Sequence, residues 1–230
     1  MGKALLHLFL IGIPFARPPL GPLHLASPQA AEPWKGVRDA TEMPKMCPQD
    51  TSFAGALWKT FPVKYPSVGM SEVFTLMCTD PPGPTLEKDY QLVMVWIHAG
   101  GLASGGAFQY PRPLQVLDSS DTSVTLPLLN QMFADLISTG DEHSPGNWGF
   151  LDQIASLQWV HDNIAAFNGD PNSVTIFGQS VGGISVSILV MSPLAEGLFH
   201  SAVAMSGVAP LETHNTSNPL AMAQVSTYGN

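Results

Sequence analysis

The sequence predicts an α/β fold with a mostly parallel central sheet, and three stretches carry that expectation. QLVMVWI (91–97) is a continuous apolar run, the pattern of a strand buried on both faces. SVTIF (173–177) is a second apolar, β-branched run, and it leads directly into the pentapeptide Gly178-Gln179-Ser180-Val181-Gly182. Between them, FLDQIASLQWVHDNIAA (150–166) sets Leu151, Ile154, Ala155, Leu157, Val160 and Ile164 near helical spacing. A strand–helix–strand order of this kind closes in parallel.

Each element follows in chain order. Lys3 and the apolar run Ala4–Ile13 have the outline of a short leader-peptide core. No clear small-x-small cleavage site follows, and the run is too short to cross a bilayer. No other stretch reaches spanning length, so no integral membrane span is expected. Residues 14–60 are rich in proline and read as loops and extended pieces. His98-Ala99-Gly100-Gly101 leaves the 91–97 strand directly. TSVTLPLLNQMF (122–133) has room for a short strand that Pro127 interrupts. Phe167-Asn168-Gly169-Asp170-Pro171 reads as a turn, Gly183–Met191 as the helix after the pentapeptide, and SAVAMS (201–206) as another buried strand.

Composition excludes several functions. With 45% hydrophobic and 12% charged residues, the chain is too apolar to be disordered. The 9 basic and 18 acidic residues give a net charge of −9 without a Lys/Arg cluster, so no nucleic-acid partner is expected. Two cysteines, Cys47 and Cys78, could form one disulfide or stay as thiols, and without a C-x-x-C no structural zinc is expected. Asp141-Glu142-His143 are adjacent residues that cannot readily converge on one ion, and they read as a surface loop. No metal or cofactor is implied. Asn215-Thr216-Ser217 is a glycosylation sequon, relevant only to a secreted chain.

The chemistry centres on Ser180. A G-x-S-x-G pentapeptide after an apolar strand and before a helix mounts a serine on a sharp turn, with its Oγ exposed and small neighbours around it. The helix that follows offers N-terminal N–H groups to a developing oxyanion. The glycine-rich loop His98–Gly101 can add donors to the same oxyanion, or be an ordinary turn. Such a serine needs a base. None of the histidines (7, 24, 98, 143, 161, 200 and 214) stands in an obvious triad context. Trp148 and Trp159 read as packing residues.

Together the segments resemble the type-B carboxylesterases of the carboxylesterase/cholinesterase family, nearest in pattern to the mammalian liver and intestinal enzymes. The matching stretches are GIPFARPPLGPL (12–23), AEPWKGVRDAT (31–41), MCPQD (46–50), VMVWIHAGGL (93–102), STGDEHSPGNWGFLDQ (138–153), WVHDNIAAFNGDPNSVTIFGQSVGG (159–183) and SPLAEGLFHSAVAMSGVA (192–209). The resemblance implies an α/β-hydrolase fold that hydrolyses small-molecule carboxylic esters through an acyl-serine. It gives Ser180 as the nucleophile and Gly100, Gly101 and the Val181 N–H as the oxyanion hole. Cys47 matches the first cysteine of a family disulfide. The second is expected at about Phe74, and the displacement of Cys78 counts against a Cys47–Cys78 bond.

The departures are specific. Ala99 stands at a family glycine, Gln179 at a glutamate, Val181 at an alanine and Met205 at a glutamate. TSVTLPLLNQMFADL (122–136) replaces a central strand, where Pro127 and Asp135 are expected to disturb the sheet. In the family the triad acid and histidine lie downstream of the elbow, beyond Asn230. The resemblance therefore implies that residues 1–230 form a partial carboxylesterase domain, truncated after the elbow and inactive alone. The alternatives are an improvised base such as His161 or His143, or a non-catalytic binding member of the family. Family members are secreted or lumenal, but a leader and a retention tail are not evident here, so the compartment stays open.

Overall fold

A computed structural model describes residues 8–39, 75–80, 91–101, 105–106, 123–129, 138, 141–142, 145–167 and 169–209. The strands are β1 (Leu8–Pro14), β2 (Thr75–Asp80), β3 (Gln91–Ile97), β4 (Ser123–Leu129), β5 (Gly169–Gln179) and β6 (Ser201–Met205). Two α-helices are described, α1 (Trp148–Asn163) and α2 (Val181–Met191). One six-stranded sheet runs in the order β1-β2-β4-β3-β5-β6. The β4–β3–β5–β6 pairings are parallel, and β1–β2 and β2–β4 are antiparallel.

The core follows from side-chain alternation on β3. Val93, Val95 and Ile97 are fully buried and join Val174 and Ile176 of β5, Leu157 and Val160 of α1, and Val186 and Leu189 of α2 in one cluster. On the other parity, Trp96 and Phe177 pack with ring centroids 5.0 Å apart. Helix α1 turns a more polar face inward than its spacing predicts. Asp152, Gln153 and Ser156 are buried with Leu157 and Val160, while Leu151, Ile154 and Ala155 are half-buried. The Ser156 hydroxyl donates to the Gln153 carbonyl at 2.6 Å. That bond inside the helix lets a buried hydroxyl avoid the cost of an unmet partner.

Four local expectations change. The leader-like run contributes Leu8–Pro14 to the sheet, paired antiparallel with β2. Pro127 lies within β4 opposite Trp96, and the strand persists because β2 pairs with β4 only at Leu128 and Leu129, past the proline. Of the turn expected at 167–171, Phe167 ends a short 3-10 segment and Gly169, Asp170 and Pro171 belong to β5, whose register against β3 shifts there. Gly169 sits opposite Gln91 but Val174 opposite Val93, and the Asp170 carboxylate accepts from the Asn172 N–H at 2.9 Å. β6 forms where expected but is exposed rather than buried, because it is the last strand of the described sheet.

Candidate active site

Ser180 occupies the single-residue turn between β5 and α2. Its backbone has φ 58° and ψ −123°, a left-handed setting that a residue with a Cβ adopts only when its surroundings impose it. Three contacts do so. The Ser180 N–H donates to the Met205 carbonyl of β6 at 2.9 Å, and its carbonyl accepts from the Ile184 N–H at 3.0 Å. The third is close packing at the motif glycines. A Cβ on Gly182 would stand 2.2 Å from the Ile97 carbonyl oxygen, and one on Gly178 would stand 2.5 Å from the Gly182 backbone. A side chain at either position would push the turn off β3. Ser180 precedes α2 without a side-chain capping bond, and the residue is half-buried.

The same packing places the glycine-rich loop. Ile97, the last residue of β3, is in register with Gly178, so His98–Gly101 leaves the sheet beside the elbow. This is the crevice beyond the carboxyl ends of parallel strands, where open α/β sheets bind their ligands. Gly100 and Gly101 have φ values of 136° and 67°, which a Cβ would oppose. Ala99 is not among the left-handed residues, so its methyl group adds no backbone strain at the family glycine position. His98 is buried, with Nδ1 2.7 Å from the Ala99 carbonyl oxygen. A helix start leaves its first N–H groups without intrahelical acceptors; here these belong to Val181 and the two glycines after it. The structure thus brings together Ser180, Val181 and the His98–Gly101 loop.

Other expected residues lie elsewhere. His161 is exposed in the last turn of α1, with Nδ1 2.9 Å from Asp162 Oδ1. His200 precedes β6, where its Nδ1 accepts from the Val174 N–H at 3.3 Å. His200 is thus level with Val174, six residues before Ser180 on β5 and on the order of 20 Å from it at the usual rise along a strand. Cys78 is on β2 opposite Leu10. Cys47, His143 and Asn215 lie outside the described residues. Among those described, no group of three His, Cys, Asp or Glu could hold a metal ion, and no helix is long and apolar enough to cross a membrane.

Sequence reasoning missed the part played by β6. The Met205 side chain departs from the family pattern, but its carbonyl is what anchors Ser180, and any residue there could supply it. Gly207 belongs to the same clamp, since a Cβ on it would reach within 2.2 Å of the Ser180 carbonyl oxygen. The signal available was a glycine two residues past an apolar strand.

Comparison with known proteins bears on the family and the fold. The chain is 48% identical over 202 residues to the medium-chain fatty acyl-CoA hydrolase precursor of Anas platyrhynchos, covering 86% of this chain and 36% of the relative. It is 49% identical over 200 residues to carboxylesterase 1C of Mus musculus, with the same coverage. It is 46% identical over 203 residues to cocaine esterase of Homo sapiens, covering 87% of this chain and 36% of the relative. This chain thus spans about a third of the length of these relatives. A solved PNB esterase superposes with a TM-score of 0.82 at 29% identity, over 97% of this chain and 45% of that one. Its fold is the α/β-hydrolase fold, of which this sheet and its helices are a part. The model of the carboxylesterase family matches residues 2–228, and the chain belongs to that family.

Proposed function

We propose that residues 1–230 are one part of a single carboxylic ester hydrolase domain, with Ser180 as its nucleophile. Backbone N–H groups of Gly100, Gly101 and Val181 would bind the oxyanion, and small-molecule carboxylic esters are the substrate class. The observation that carries this reading is the left-handed Ser180 backbone, clamped from β3 and β6 while α2 takes no cap from its hydroxyl.

The reaction follows from that arrangement. Ser180 Oγ bonds to the ester carbonyl carbon, the carbonyl electron pair moves onto oxygen, and the hydroxyl proton passes to a base. Collapse breaks the bond to the alcohol oxygen, which leaves with a proton. Water then repeats the sequence on the acyl-serine. Each half needs a general base; among the described histidines His161 is exposed beside Asp162, His200 is engaged by the Val174 N–H, and His98 turns Nδ1 toward the Ala99 carbonyl. Our reading is that this chain alone lacks turnover. Removing the serine or the histidine of such a unit costs on the order of a millionfold in rate.

The test compares the purified chain with a chimera in which residues 1–230 replace the matching part of mouse carboxylesterase 1C. Labelling by a fluorophosphonate and turnover of p-nitrophenyl acetate are read on both, each beside Ser180→Ala. The expected result is a silent chain and a chimera that labels and turns over only with Ser180 present. Ser180-dependent turnover by the chain alone would overturn the inactivity. A soluble chimera that never labels would overturn the nucleophile. A second reading, a binding member of the family, draws on the exposed apolar residues Val190, Met191, Leu194, Val203 and Val208 around β6.

A further inference from the structure

The geometry points to Gly105 as a positioning residue of the oxyanion hole, a role that rests on the reading of Ser180 and Gly100 proposed above. It acts through the Ala99–Gly100 peptide. The Ala99 carbonyl oxygen lies 2.7 Å from His98 Nδ1. A carbonyl only accepts, so the imidazole carries a proton on Nδ1 and donates it. His98 is 1% exposed, so the bond is made away from water, where it is stronger. Among the described residues no peptide bond is cis. In a trans peptide the C=O and the following N–H point in opposite directions. Holding the Ala99 carbonyl toward the imidazole therefore fixes the direction of the Gly100 N–H, one donor of the proposed hole.

Gly105 stands against both halves of that bond. A Cβ on it would lie 2.6 Å from the Ala99 carbonyl oxygen and 2.8 Å from His98 Nδ1. Both approaches are closer than a side chain tolerates, and what they meet is main chain and a buried ring. The residue is itself buried, and its φ of 119° is one that a Cβ opposes. Gly101 is different, since a Cβ there meets nothing within 4 Å. On the preceding peptide, a Cβ on Gly182 would come within 2.9 Å of the His98 carbonyl oxygen. Two successive peptides of the loop are thus backed by one glycine each, Gly182 from the elbow and Gly105 from the far side of the loop. A side chain at position 105 turns the Ala99–Gly100 peptide and takes the Gly100 N–H off the oxyanion.

The test uses two preparations. In the full chain, the His98 Nδ1–H is followed by NMR with isotope-labelled histidine, its signal identified by its loss in His98→Gln. Gly105→Ala should speed exchange of that proton with water about tenfold or more, by opening the bond locally, with circular dichroism unchanged. In the chimera with mouse carboxylesterase 1C, Gly105→Ala should lower kcat for p-nitrophenyl acetate about tenfold or more and leave KM within about twofold, because an oxyanion donor acts in the transition state. His98→Gln should do the same, and the double variant should be no slower than the slower single one. Unchanged exchange, a loss confined to KM, or single losses that multiply in the double variant would each overturn the inference. If Gly105→Ala does not fold, a parental kcat in His98→Gln overturns it. A parent chimera without turnover would sink it together with the reading of Ser180. A parent and a Gly105→Ala chimera that turn over alike would sink it alone.

Discussion

The Ser180 backbone stores a measurable cost. A left-handed non-glycine residue is strained by about 1–3 kcal/mol, sustained by the rest of the fold. Ser180→Gly removes that strain and loses about 0.5–1 kcal/mol through the freer unfolded chain. The net expectation is a gain of about 1 kcal/mol, read as a higher urea midpoint. Ser180→Ala keeps the Cβ and should stay within about 0.5 kcal/mol of the parent. If both variants have the parent's midpoint, the turn is unstrained and the clamp from Ile97, Met205 and Gly207 holds nothing against resistance. The position is legible in the sequence because G-x-S-x-G encodes a local conformation. The clamp is not, because it consists of main-chain atoms that any side chains could carry.

At the scale of elements, legibility followed the range of the forces. β3 and β5 were readable as apolar runs, and α1 as a periodic one. β1 looked like a leader core because an apolar segment has the same composition whether it pairs with a strand or not. Its pairing with β2 joins Ile13 to Leu76, a contact no local window contains. Pro127 counted against β4, since a proline interrupts a ladder only where its missing N–H is needed, and that depends on how far β2 extends. β6 was readable as a strand but not as an exposed one, because exposure depends on what lies beside it. Among the described residues its outer edge has no partner strand, Val203 on it is 47% exposed, and unpaired edges invite intermolecular pairing. Val203→Lys should leave stability within about 0.5 kcal/mol and lower the light scattering of concentrated samples. Unchanged scattering would mean that association runs through another surface.

For the molecule as a whole, charge and uncovered apolar surface act together. The net charge is −9 and the isoelectric point about 5.0, so mutual repulsion that keeps copies apart at neutral pH vanishes near pH 5. The soluble fraction should pass through a minimum there and recover at pH 8. A flat profile would show that repulsion is not what keeps the chain dispersed. The strand order β1-β2-β4-β3-β5-β6 has a further consequence, in time rather than in space. β5 and β6 are joined through α2 by a short connection, with Thr175 opposite Ser201. β3 meets β5 only across a long intervening segment, with Val95 opposite Ile176. Contacts close in sequence form first and distant ones wait on loop closure. The elbow therefore belongs to a unit whose contacts are comparatively local and are expected to form before β3 docks on β5. β1 is made before β2, from which a long stretch of chain separates it, and it must stay unpaired until β2 emerges.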